Sequence, residues 1–120
     1  MKHKGMIHIH LLVSDLSRSV AFYERAFGLK VILRHEEQGM AFLQTPGTAE
    51  LVTLKQERSA RVGQQGGIDH FGFPLADARE LEAAIAEVVA AGGRLLERDT
   101  LAGGYPTAFV ADPDGYRIQI

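Results

Sequence analysis

Apolar and polar residues alternate where the chain first becomes regular. Across residues 6–13, Ile7, Ile9, Leu11 and Val13 alternate with His8, His10 and Leu12, the two-residue period of a strand with one covered face and one open face. At Asp15 the period changes. Leu16, Val20, Tyr23 and Phe27 recur at helical spacing, Asp15 is placed to cap the first turn, and Gly28 is placed to end the helix. Three short apolar runs follow, at about 31–35, 40–44 and 49–55, punctuated by Gly39 and by Thr45-Pro46-Gly47. The first half therefore predicts a β-α-β-β-β order.

The second half predicts the same order again. Residues 56–67 are polar and without apolar period, and read as a connection. A strand is expected over 68–75, with Phe71, Phe73 and Leu75 opposite His70. Asp77 and Glu80 form a capping-box-like pair, and Leu81, Ile85, Val88 and Val89 supply the buried stripe of a second helix that Gly92-Gly93 ends. Strands are expected at 94–97, 106–111 and 116–120, with a Gly103-Gly104-Tyr105 loop and a tight Asp112-Pro113-Asp114-Gly115 turn between them. In both halves a strand histidine, His8 or His70, is followed seven residues later by the aspartate that opens the helix, Asp15 or Asp77. A repeat of this kind sets architecture even where strand ends are uncertain. The expectation is an α+β fold, a single domain over 1–120 built of two βαβββ modules, about 6–57 and 68–120. Neither module can bury both faces of its sheet alone. Together their mixed sheets can curl around a cleft, with the helices outside.

Composition narrows the functional classes. At 120 residues the chain is one domain with room for a core, and 46% hydrophobic residues place it among globular proteins. A formal net charge of -2, with no run of Lys or Arg, argues against a nucleic-acid surface. The absence of cysteine removes disulfides, thiolate ligands and a cysteine nucleophile. The basic start at Met1-Lys2-His3-Lys4 is followed by a stretch broken by His8, His10, Ser14 and Asp15, so no signal-peptide core and no membrane span is expected, and the cytoplasm is the expected compartment.

Four polar residues hold equivalent places in the two halves: His8 and His70 on the opening strands, Glu50 and Gln119 on the closing ones. By alternation Glu50 shares its face with Val52 and Leu54, and Gln119 shares its face with Arg117. If opening and closing strands lie side by side, each sheet offers one imidazole and one side-chain oxygen. Such a set suits one divalent ion among Ni, Co, Zn, Mn and Fe(II). Taken singly, each residue has a plainer reading: a satisfied strand histidine, an edge-strand charge, a solvated residue near a terminus. His10, beside His8, is a second-layer group, a substrate-facing acid or base, or simply packed. His3 and His35 read as surface residues, and Tyr105 as part of an ordinary turn or of a loop over a ligand.

The repeated unit, the run Asp15-Leu-Ser-Arg-Ser-Val-Ala-Phe-Tyr23 through Gly28-Leu29, the glycines at 92 and 93, and Asp112-Pro-Asp-Gly-Tyr116 resemble the vicinal oxygen chelate superfamily. Glyoxalase I, bleomycin-resistance proteins, extradiol dioxygenases, fosfomycin-resistance enzymes and methylmalonyl-CoA epimerase belong to it. The resemblance spans nearly the whole chain. It places a glyoxalase I-like metal site on His8, Glu50, His70 and Gln119, and implies a homodimer with the site inside one chain or across two. Gln119 departs from the Glu that many members carry after the Asp-Pro-Asp-Gly turn, so a bound ion would see less negative charge and Glu50 or a metal-bound hydroxide would be the base. The positions that hold glutathione in glyoxalase I are Leu12 and Leu54 here, which speaks against glutathione as cosubstrate. Extradiol enzymes carry a Tyr where this chain has Phe109.

Three functions follow as expectations. The first is a divalent-metal lyase or isomerase acting on a small substrate with neighbouring oxygens, with Glu50 moving a proton. The second is a metal-free protein that sequesters a small molecule or antibiotic over the apolar positions Leu12, Val52, Leu54 and Phe109. An extradiol-type dioxygenase is the third.

Overall fold

A computed structural model describes all residues, 1–120. The first half forms β1 (His8–Val13), α1 (Leu16–Phe27), β2 (Lys30–His35), β3 (Met40–Gln44) and β4 (Leu51–Gln56). The second forms β5 (Phe71–Gly72), α2 (Leu81–Ala90), β6 (Arg94–Leu101), β7 (Tyr105–Ala111) and β8 (Arg117–Gln119). Two four-stranded sheets result, ordered β1-β4-β3-β2 and β5-β8-β7-β6. In each, the opening strand lies parallel to the closing one and the remaining pairs are antiparallel. The fold is the expected α+β arrangement of tandem βαβββ units, and opening and closing strands are neighbours as expected.

Alternation sorts the sheet faces. Leu11 and Val13 of β1, Val52 and Leu54 of β4, and Ile118 of β8 join one buried cluster with Val20 and Tyr23 of α1 and Ile85 and Val88 of α2. The two helices pack against each other. Asp15 caps α1 by accepting the Arg18 N–H at 2.9 Å, and Gly28 closes it at φ 66°, where a Cβ would be strained. Gly93 is demanded by space: a Cβ there would lie 2.6 Å from the Ala111 carbonyl oxygen and 2.7 Å from both Phe22 and Val88.

Three expectations are corrected. The strand expected over 68–75 shrinks to Phe71–Gly72. Pro74 has no N–H for a ladder, and the Gln65 carboxamide already donates to the carbonyls of Ile68 and Asp69. Val89 is 52% exposed, because Leu81, Ile85 and Val88 already complete the inward stripe and Val89 is turned roughly 100° from Val88. Leu54 is not a cleft residue, being 0% exposed in the helix-facing core; Val52, 4% exposed, belongs to that core and also borders the cavity lined by His8 and His70. At the second helix, Asp77 caps a single 3-10 turn over residues 78–80 by accepting the Arg79 N–H, and α2 begins only at Leu81.

The Asp112-Pro113-Asp114-Gly115 turn joins the halves. Asp112 is fully buried, accepts the Tyr23 hydroxyl at 2.9 Å, and also accepts the N–H groups of Asp114 and Tyr116. Burial pushes its carboxyl above the ordinary aspartate range. Asp114 accepts from Ser14 and Arg18, and the Tyr116 hydroxyl donates to the Leu12 carbonyl at 2.8 Å. No helix is long and apolar enough to cross a membrane.

Candidate small-molecule site

β1 and β5 are each the edge strand of their sheet, with one side unpaired. Residues of both line two cavities, which run along the seam between the modules and share Ile9 and Phe71. One cavity, about 310 Å³, is lined by His8, Glu50 and His70 together with Leu51 and Phe71. The other, about 370 Å³, is lined by His10 and Leu12 of β1, Arg61 and Gln64 of the connection, and Tyr116. A third, about 400 Å³, lies on the helix side between Phe27, Ala84 and Val88, and Glu50 reaches it as well.

The histidines owe their places to strand parity. Leu11 and Val13 are buried, so His8, His10 and Leu12 point away from α1. Burial, with His8 and Lys55 nearby, lowers the pKa of His10 and favours its neutral ring. His70 immediately precedes β5. Its Nδ1 lies 2.6 Å from Asp69 Oδ2, and its ring meets the edge of Phe109 at 4.9 Å between centroids. An ionised carboxylate only accepts, so Nδ1 carries the hydrogen and Nε2 is left free to act. The hydrogen bond to His70 and then the charge of Arg117 hold the Asp69 carboxyl below the usual range.

Arg117 completes this patch of the second sheet. Its guanidinium lies 3.9 Å from the centre of the Phe109 ring and donates to Glu97 at 2.6 Å. Its Nε is buried without a hydrogen-bond partner, 3.7 Å from Asp69. Gln119, two residues on, shares that face, stands beside Gly72 in the ladder, and does not line the cavity of the two histidines. Asp69 was not picked out from sequence, although a carboxylate next to a candidate histidine is a readable signal. The packing of Phe109 between His70 and Arg117 had no such signal, because it depends on how β7 registers with β8.

Glu50 occupies a different position from the other three. It precedes β4 and is exposed, and its alternation partners Val52 and Leu54 face the helix core. The Thr48 hydroxyl first, then its own backbone N–H and the Thr45 hydroxyl, hold its carboxyl below the ordinary glutamate range. No three His, Asp or Glu side chains converge closely enough to hold a metal ion. The four residues implied by the resemblance therefore do not converge as one metal centre: His8, Glu50 and His70 border one cavity that Gln119 does not line, and Glu50 precedes β4, outside the ladder that sets the positions of its neighbours.

Tandem βαβββ units with a ligand-sized seam between two edge strands define a class of small-molecule proteins. The chain belongs to the Glyoxalase/Bleomycin resistance protein/Dioxygenase superfamily, whose sequence model matches residues 5–120. Among its relatives is the lactoylglutathione lyase of Salmonella typhimurium, 31% identical over 96% of this chain and 90% of that protein. A lactoylglutathione lyase of Arabidopsis thaliana is 29% identical over 98% of the chain, which spans only 44% of the plant protein. The catechol-2,3-dioxygenase of Bacillus subtilis is 29% identical over 92% of this chain and 38% of its own length. Among solved structures, a glyoxalase-related enzyme from Fulvimarina pelagi superposes with a TM-score of 0.81 at 24% identity, covering 98% of this chain and 87% of that one. Members of the superfamily generally use a divalent metal, bind small-molecule substrates and are often dimeric.

Proposed function

We propose that this chain is a lyase- or isomerase-type enzyme that moves a proton on a small substrate with neighbouring oxygens. The observation that carries this reading is one cavity lined by an ionised carboxylate and two imidazoles, Glu50, His8 and His70. An α-hydroxy carbonyl compound fits that set. Glu50 takes the proton from the carbon next to the carbonyl, and the electron pair moves onto the carbonyl oxygen. His8 donates a hydrogen bond to the carbonyl oxygen as it gains charge; His70, held through Nδ1 by Asp69, takes the proton of the neighbouring hydroxyl onto Nε2 and delivers it to the former carbonyl oxygen, while Glu50 returns the carbon-bound proton to the adjacent carbon. The 31% identity to a lactoylglutathione lyase over nearly the full length of both chains supports this reaction class. Leu12 lines the neighbouring cavity where a polar contact to a peptide cosubstrate would be needed, which favours a compact substrate over a glutathione adduct. A homodimer, common among the relatives, would bring a second copy's open sheet face against the same seam.

The test is proton exchange. α-Hydroxy aldehydes and ketones incubated with the protein in D₂O should incorporate deuterium, followed by NMR, and Glu50→Gln should slow this by a factor of about 10²–10⁴. Exchange that is unchanged in Glu50→Gln would overturn the reading. A second reading, sequestration without turnover, is favoured by the largely apolar lining of the histidine cavity, to which Ile7, Ile9, Leu51, Phe71 and Phe73 contribute. It predicts that a planar ligand raises the melting temperature while no carbonyl compound exchanges.

A further inference from the structure

We infer that this chain lacks the carboxylate arm of a metal centre, and that Leu51 is the residue that decides it. The β1–β4 ladder pairs His8 with Leu51, His10 with Thr53, and Leu12 with Lys55. Side chains of laterally paired residues share a sheet face, so Leu51, Thr53 and Lys55 are the β4 residues that stand beside His8 and His10. None of them supplies a free anionic donor. Leu51 is apolar and half-buried, Thr53 is 2% exposed with its hydroxyl donating to the Ile9 carbonyl at 3.2 Å, and Lys55 is a cation. Glu50 precedes the ladder and borders both this cavity and the one on the helix side, so the β1–β4 register does not hold its carboxylate beside His8. An ion reaching His8 and His70 would meet two imidazoles and, with Gln119, one carboxamide, and no third His, Asp or Glu side chain converges with the two rings to compensate a divalent cation.

The same ladder shows how the arm could be supplied. Leu51 sits directly beside His8 and lines the cavity that also holds His70, so a carboxylate there would join both imidazoles. Full-length protein stripped with chelator is titrated with NiCl₂, CoCl₂, ZnCl₂ and MnCl₂, reading bound stoichiometry by calorimetry and the melting temperature in parallel. Wild type is expected to bind no stoichiometric ion and to show no melting shift. Leu51→Glu is expected to bind one equivalent at least about tenfold more tightly than wild type, with a matching rise in melting temperature. Adding His8→Ala to Leu51→Glu should abolish that gain.

One equivalent of ion bound by wild type and lost in Glu50→Gln would overturn the inference, and so would a Leu51→Glu protein that folds and gains no ion. Should Leu51→Glu fail to fold, the comparison of wild type with Glu50→Gln decides alone, since Glu50 is exposed and Gln keeps its shape. These readouts are metal binding, not turnover, so their outcome is separate from that of the proton-exchange experiment.

Discussion

Asp112 is the fully buried carboxylate at the junction of the two modules. It is 0% exposed, and its carboxylate is satisfied by the Tyr23 hydroxyl and two backbone N–H groups. Removing the hydroxyl with Tyr23→Phe leaves one carboxylate oxygen without its partner in the core, and should cost about 1–3 kcal/mol in urea unfolding. The pH dependence has a definite sign. Burial raises the folded pKa of Asp112 above its unfolded value, so protonation favours the folded state. That contribution is complete below the unfolded value of about 3.9, and is lost as pH rises through the folded value. Asp112→Asn cannot titrate. Its stability deficit relative to wild type should be widest near about pH 3 and narrow as pH rises, whereas a constant gap would show that the carboxyl does not titrate differently in the two states.

At the scale of elements, close approach and register decide more than propensity does. α2 returns to β6 through Gly93, whose missing Cβ leaves room for the Ala111 carbonyl, Phe22 and Val88. Gly93→Ala forces those groups apart, and should lower stability by about 1–3 kcal/mol, measured by chemical denaturation. Register acts more sharply at β4. The ladder with β1 turns Leu51 and Thr53 toward the open face and Val52 and Leu54 toward α1, and this parity divides candidate ligands from core residues. A glutamate shifted by one position thus keeps its chemistry and changes its partners. Glu50 is left near the two histidines, at the end of the seam, as a carboxylate that can move a proton rather than one arranged beside His8.

For the whole molecule, the seam is held from both modules. Asp114, with its side chain 5% exposed, takes hydrogen bonds from Ser14 and Arg18, while Phe27 of α1 packs on Phe73 with ring centres 4.5 Å apart. The buried cluster runs without interruption through both halves. Unfolding in urea should therefore be one transition, reported alike by Tyr23 in the first half and Tyr116 in the second. Asp114→Ala should move that midpoint down, by about 1–3 kcal/mol in stability, without splitting it. Two separated transitions would show that the modules fold independently. The chain has no tryptophan, so tyrosine fluorescence and far-UV circular dichroism are the suitable probes.

Local chemistry along the chain determined the element order. Two-residue alternation in β1, helical spacing from Leu16 to Phe27 and the caps at Asp15 and Gly28 are short-range signals, and each appears in the structure where the pattern put it; the second His-to-Asp interval is looser, with His70 just before β5 and Asp77 capping a 3-10 turn ahead of α2. The faces of β1 and β8 were legible for the same reason: one covered side and one open side leave a periodic trace. What only the tertiary structure decided was phase and partnership. Nothing in the run Glu50-Leu51-Val52-Thr53-Leu54 tells whether its odd or even members turn to the helix, because both sets contain apolar residues; the ladder with β1 makes that choice. Likewise the short β5, the exposure of Val89 and the contacts of Phe109 with His70 and Arg117 depend on which neighbours arrive from distant segments. Period is a property of adjacent residues, whereas phase is set by long-range packing, and the candidate site depends on phase.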